Sequence, residues 1–147
     1  VMRSFLGEGV HVADHAVIAD CVIGPGSHTL VDTHLRRVVA MGGSTLSNLG
    51  TSDLLLGREV FLTTGVAFFG GEPSRTVVVE GADTHRPVLG GCVGHKVTLG
   101  ARALFAAGVA VPSGTVVVGR PDEAAQKLDE RGLLRAHMRF GDPTSDA

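Results

Sequence analysis

The chain contains no tryptophan and no tyrosine, and its six phenylalanines hold the aromatic share to 4%. Stacking platforms for single-stranded nucleic acid need aromatic faces, so a nucleic-acid partner is not expected. Cationic excess is missing as well. Thirteen Lys and Arg stand against fifteen Asp and Glu, a formal net charge of −2 that offers no basic surface to a phosphate backbone. No apolar run reaches the roughly 18 residues that a spanning helix needs, so no membrane partner is expected. The two cysteines, Cys21 and Cys92, lie far apart and form no CxxC, which argues against a disulfide framework and against a zinc cluster. No secretory signal shows at the N-terminus. The expectation is a cytoplasmic protein with reduced thiols and no metal centre. The opening Val1-Met2 fits an alternative start codon or a piece of a longer chain.

Glycine, by contrast, is abundant: 21 of 147 residues, about twice the usual share. It lacks the three-residue period of collagen, and a hydrophobic content of 44% is too high for a disordered chain. The aliphatic residues recur every six positions. Leu6, Val12 and Ile18 form one run, Leu56, Leu62 and Phe68 a second, and Val93, Leu99, Phe105, Val111 and Val117 the longest. A small residue usually follows each of them, as Ala13, Ala19, Gly57, Gly94, Gly100 and Ala106 do. Helices repeat at 3.6 and simple strands at 2, so neither yields a clean six. A flat antiparallel sheet would show period-2 alternation and hairpin dipeptides such as Asn-Gly, which this chain lacks. A hexad fits a parallel β-helix in which three short sides close one triangular coil. The apolar residue of each hexad fills a narrow bore with little room for large aromatics.

Along the chain, the first coils run from Leu6 to about Leu35, with one unit shortened between Ile18 and Ile23. Residues 36–55 are irregular in register, with a turn at Met41-Gly42-Gly43. Hexads resume at Leu56 and break after Phe69. Gly70 to Arg75 reads as a loop, and Thr76 to Glu80 as an apolar strand leading back from the excursion. Further hexads span Pro87 to Val118, and Arg120-Pro121-Asp122 ends them. Residues 123–140 carry an amphipathic helical pattern with Asp122 as N-cap, suited to covering the open end of the solenoid. The expected organisation is a β-helix over 1–121 with an excursion at about 70–86, a helix over 122–140 and a frayed tail over 141–147.

These repeats resemble those of the hexapeptide-repeat transferases, which implies an all-β, left-handed parallel β-helix, here with a C-terminal α-helix. The stretch from Met41 to Val118 is similar to the C-terminal β-helix of bacterial and archaeal sugar-1-phosphate nucleotidyltransferases, the group that includes the enzyme acetylating glucosamine-1-phosphate and uridylylating the product. The family segment H-x-x-Y-V-G-D-x-x-I-G aligns with Ser47 to Gly57, the following glycine-rich segment with Phe61 to Phe69, and T-G-R-x-x-L-G with Thr84 to Gly90. The resemblance implies a homotrimer, a sugar phosphate or nucleotide-sugar ligand, and acetyl-CoA or acyl-CoA as acyl donor. It also implies an N-terminal nucleotidyltransferase domain or partner, for which this chain has neither the glycine-rich nucleotide loop nor the length.

The departures from the family bear on chemistry. Its general base is a histidine, and Ser47 stands at that position. A lone serine takes no proton near neutral pH, whereas histidine can. The family's Asn-Tyr-Asp becomes Gly70-Gly71-Glu72. Two losses at one site point to a β-helix degenerate for acetyl transfer that serves assembly or ligand binding. The alternative is an active acyltransferase with His85, near the loop's return, as general base. Arg75, Arg86 and Lys96 could pair with the phosphates of coenzyme A or a nucleotide-sugar, or be ordinary surface cations. Spacing places His11 and His28 side by side in neighbouring coils, as solvated turn residues or as two parts of an anion or metal site; His28 and His34 fall on adjacent sides. His95 is expected to face outward and His137 to lie on the terminal helix. Cys92 reads as a small core residue, and Phe68, Phe69 and Phe105 as core fillers.

Overall fold

Each hexad contributes one inward residue between outward neighbours, so its strand need be only two or three residues long. A computed structural model describes residues 1–47, 51–68, 74–100 and 102–117 and shows a parallel β-solenoid built of such strands. Its first face stacks Phe5–Leu6, Val22–Ile23, Val39–Ala40, Leu55–Leu56, Cys92–Val93 and Ala110–Val111. The second stacks His28–Thr29, Thr45–Leu46, Phe61–Leu62, Thr98–Leu99 and Val116–Val117. On the third lie Val17–Ala19, His34–Arg36 and Thr51–Ser52, followed by Ala67–Phe68 paired with Leu104–Phe105. Every pairing among these strands is parallel.

The second residue of each pair fills the bore. Ile18, Ile23, Leu35, Leu46, Leu56, Leu62, Val93 and Leu99 are buried to within 2% of completely. Phe105 and Val111 are buried as the hexad predicts, and Val117 packs partly buried against the same core. Phe68 and Phe105 are Cα partners in adjacent coils and stack with ring centroids 4.9 Å apart and planes 18° apart. The expectation for Phe69, and that of a helix over 122–140, lie outside the described residues.

The shortened unit between Ile18 and Ile23 recurs. Neighbouring coils step by 17 residues from Leu6 to Ile23 and from Ile23 to Ala40, by 16 from Ala40 to Leu56, and by 18 from Val93 to Val111. The described residues of the stretch that is irregular in the sequence pattern, 36–47 and 51–55, therefore pair in the ladder like their neighbours, with Ala40 and Leu46 facing inward. The shortening shared by these coils falls at the edge between the third and first faces, and the further residue missing from the 16-residue step falls between Leu46 and Thr51. Asp20, Arg37 and Asp53 turn that edge with φ of 56°, 52° and 60°, a left-handed conformation that costs a non-glycine residue about 1–3 kcal/mol. In the last described coil the same edge spans a full six residues, from Phe105 to Val111, and turns through Gly108 at φ 75°.

Among the described residues between Phe68 and Cys92, the chain leaves the parallel ladder. Val78–Val79 and Ala82–Asp83 pair as an antiparallel hairpin around Glu80-Gly81, both at positive φ. The sequence pattern anticipates a single returning strand over Thr76 to Glu80; a two-residue turn with Gly second reverses the chain instead. The parallel ladder resumes with Cys92–Val93, and the carbonyls of Gly90 and Gly91 just before it accept the Gly108 N–H at 2.6 Å and the Leu55 N–H at 3.0 Å. A side chain at Gly108 would meet Val79 at 2.6 Å and Val77 at 3.1 Å, so the missing Cβ is what lets the hairpin seat on the solenoid.

Candidate functional site

Ser47 follows Leu46 on the second face and is buried. One residue beyond the Thr29–Leu46 pairing, it falls in line with Leu30 of the preceding coil and Thr63 of the next. Among the described residues no hydrogen bond reaches its hydroxyl. Gly70 to Glu72, aligned with the family's second catalytic segment, lie outside the described residues. Two positions before Ser47, Thr45 Oγ1 lies 2.9 Å from His28 Nε2, and His28 is in turn the Cα partner of His11. The 17-residue spacing of the two histidines thus does put them side by side. Its continuation to Thr45 was legible in the same spacing and was not drawn from it.

His85 lies on the return from the hairpin, where it is exposed at φ 54°. An Asp83 carboxylate oxygen accepts the His85 backbone N–H at 2.8 Å, and the other lies 3.5 Å from His85 Nδ1. Thr84 closes the base of this turn, its hydroxyl donating to the Val77 carbonyl at 2.6 Å. The ring itself is exposed, with the carboxylate on its Nδ1 side. This Asp–His arrangement is the one place where the structure adds a partner to a sequence-predicted base.

The three cations that could either meet phosphates or be ordinary surface charges occupy two edges. Arg75 and Arg86 belong to the excursion, which docks at Gly108 on the edge between the third and first faces. Lys96 turns the edge between the first and second faces at φ 54°, its backbone N–H donating to the Arg58 carbonyl at 2.8 Å. Beside it, His95 is exposed as expected, and its Nδ1 accepts the Arg58 backbone N–H at 2.9 Å, a role within the turn. His34 is outward on the third face.

Cys92 is exposed, which corrects its reading as a core residue. In the pair Cys92–Val93 the inward place belongs to Val93, and Cys92 takes the outward one. Cys21 is the buried thiol, its pKa raised by desolvation. Among the described residues no three His, Cys, Asp or Glu side chains gather as a metal site, and no helix is long and apolar enough to cross a membrane.

Sequence reasoning also missed the charged ladder on the shortened edge. Arg3 donates two hydrogen bonds to Asp20, at 2.6 and 2.9 Å, and Arg37 does the same to Asp53. Hydrogen bonding to Arg3 holds the Asp20 carboxyl below the usual carboxylate range, and the same bond raises the Arg3 guanidinium. The signal was present: residues 3, 20 and 37 step by 17, and the next charge follows after the coil of 16 at Asp53.

Fold and repeat define the class: a parallel β-solenoid of hexapeptide-repeat geometry. No protein-family model matches the chain, and no curated protein matches it.

Proposed function

We propose that the chain is a left-handed hexapeptide-repeat β-helix, related to the C-terminal domain of the sugar nucleotidyltransferases and degenerate for acetyl transfer, whose role is homotrimer assembly and sugar-phosphate or nucleotide-sugar binding. The observation that carries this reading is an outward column on the first face. Phe5, Val22, Val39, Leu55, Cys92 and Ala110 are successive Cα partners. Phe5 is 66% exposed, and Val22, Val39 and Leu55 are each 43–49% exposed. At the usual strand spacing the column runs roughly 24 Å, a long flat apolar stripe of the kind that marks an association surface. The loss of acetyl transfer rests on Ser47. A buried hydroxyl without a hydrogen-bond partner among the described residues has nothing to make it a base. Sedimentation equilibrium tests the assembly. A mass three times that of the chain is expected, and Val39→Lys, which puts a charge mid-stripe, should return it to the monomer. A wild-type monomer at micromolar concentration would refute the assembly role.

The second reading, a coenzyme A-dependent acyltransferase with His85 as base, is favoured by the Asp83 carboxylate beside His85 Nδ1. His85 Nε2 would take the proton of a sugar amine or hydroxyl as it attacks the thioester carbonyl of acetyl-CoA or another acyl-CoA. The carbon–sulfur bond then breaks, and the departing thiolate takes the proton back. Arg75, Arg86 and Lys96 are the candidate phosphate partners. A thiol-release assay over several amino sugars separates the readings. The degenerate site gives no turnover above background, whereas robust turnover that collapses in His85→Ala would establish the enzyme.

A further inference from the structure

The third face carries an open cleft of about 470 Å³ that neither function above uses. Its floor is apolar and its polar groups are unevenly partnered. Met2, Ala19, Arg36 and Ser52 form one row across four neighbouring coils, and Val17 and His34 form the row beside it. His34 and Arg36 are both outward on the strand His34–Arg36, separated by the inward Leu35. Arg36 is flanked by the small side chains of Ala19 and Ser52, so nothing in its row crosses the guanidinium.

Arg3 and Asp20 also line the cleft, and the two carboxylates on its edge with the first face, Asp20 and Asp53, are already engaged. Asp20 receives two hydrogen bonds from Arg3, and Asp53 receives two from Arg37. Asp20 feels the charge of Arg36 without pairing with it: among the described residues Arg36 has no carboxylate within ion-pair distance. The guanidinium therefore keeps its planar fork of donors free, a geometry suited to a carboxylate or phosphate. An imidazole stands beside it, a hydroxyl lies next to it in its row, and an apolar patch extends from it.

We propose that this cleft is a binding site for a small anionic ligand, a carboxylate or phosphate ester with an apolar body, whose charged group pairs with Arg36 beside His34 while the body lies over Val17 and Ala19. Small-molecule sites commonly have this composition, a mostly apolar wall with a few convergent polar groups. The site requires neither the assembly nor the acyl-transfer reading and stands on separate residues.

Isotope-labelled full-length protein, titrated with benzoate, phenyl phosphate and inorganic phosphate and followed by amide chemical shifts, tests it. Saturable shifts confined to the surroundings of Val17, Ala19 and His34 are expected from benzoate or phenyl phosphate, and which of the two binds more tightly identifies the charged group. Arg36→Ala should weaken that binding about tenfold or more, as loss of a charge-assisted pair does. Arg36→Lys should restore part of it, and Arg58→Ala on a different edge should leave it unchanged. The proposal is overturned if neither aromatic ligand gives saturable shifts at millimolar concentration. It is equally overturned if Arg36→Ala binds as wild type does, or if inorganic phosphate binds as tightly as phenyl phosphate, because the apolar wall would then contribute nothing.

Discussion

The second and third coils and the two after them solve the same packing problem differently. Around Leu56, Leu62, Val93 and Leu99 the interior is aliphatic, with Val60, Val66 and Val97 at the turns. In residues 27–47 six hydroxyl side chains are buried instead: Ser27, Thr29, Thr33, Ser44, Thr45 and Ser47. Several of these are wired into the backbone. Ser27 Oγ accepts the Ser44 N–H and Ser44 Oγ accepts the Val60 N–H, so one column of hydroxyls takes part in the coil-to-coil ladder. Thr29 accepts the Ala13 N–H, and Thr33 donates to the Leu30 carbonyl. The edges differ in the same sense. Early coils turn on the paired charges Arg3–Asp20 and Arg37–Asp53, whereas the last described turn on that edge uses Gly108 and is covered by the hairpin. A solenoid coil needs a filled bore and satisfied turns; here one end meets both needs with apolar volume and glycine, and the other with hydrogen bonds and ion pairs.

Truncating the aliphatic interior should have the largest effect. Leu99→Ala removes a side chain with no solvent exposure and is expected to cost about 2–5 kcal/mol, read from urea unfolding. A neutral outcome would mean that the bore there is not close-packed.

Ser44→Ala probes the hydroxyl-linked interior. It leaves the buried Val60 N–H without its acceptor, and a loss of about 1–3 kcal/mol is expected. Should Ser44→Ala prove more damaging than Leu99→Ala, the roles of the two regions would be reversed, with the hydroxyl column as the stronger element.

The smallest effect belongs to the exposed edge. Because Arg3 holds the Asp20 carboxyl below its unfolded value, its contribution is fully present above the unfolded carboxylate range and is lost as pH falls through the lowered folded value. Asp20→Asn should change the melting midpoint little near neutrality and should remove part of the acid dependence below about pH 4. Melting curves from pH 6 to pH 2 provide the measurement, and an unchanged acid limb in the variant would show that the pair contributes nothing. High salt should shrink the same difference.

Legibility in the sequence follows this division. Hexads with large aliphatic residues stood out at once, and Leu56, Leu62, Val93 and Leu99 all face inward. The coil that begins at Ala40 escaped because that inward residue carries little hydrophobic signal, and because the step from it to Leu56 is one residue shorter than the step before it. Cys92 was misplaced for a related reason. In a two-residue strand the inward partner is decided by register, and a small apolar residue suits either side. Of the candidate chemistry, the resemblance named Ser47 and His85, but it held no hint that Asp83 lies beside His85 Nδ1 or that Arg36 is left unpaired between neighbours that are paired.

The sequence alone determined that the chain coils, since a six-residue period over several units is compatible with neither a helix nor a plain strand. It also determined which side chains have the volume to fill the bore. Only the tertiary structure decided which outward residues become neighbours. Contacts between coils join positions 16, 17, 18 or 37 residues apart, and each shortened turn or excursion shifts every later alignment. The apolar stripe, the charged edge and the Arg36 cleft all consist of such neighbours, so each depends on a register that accumulates along the chain and that no single hexad encodes.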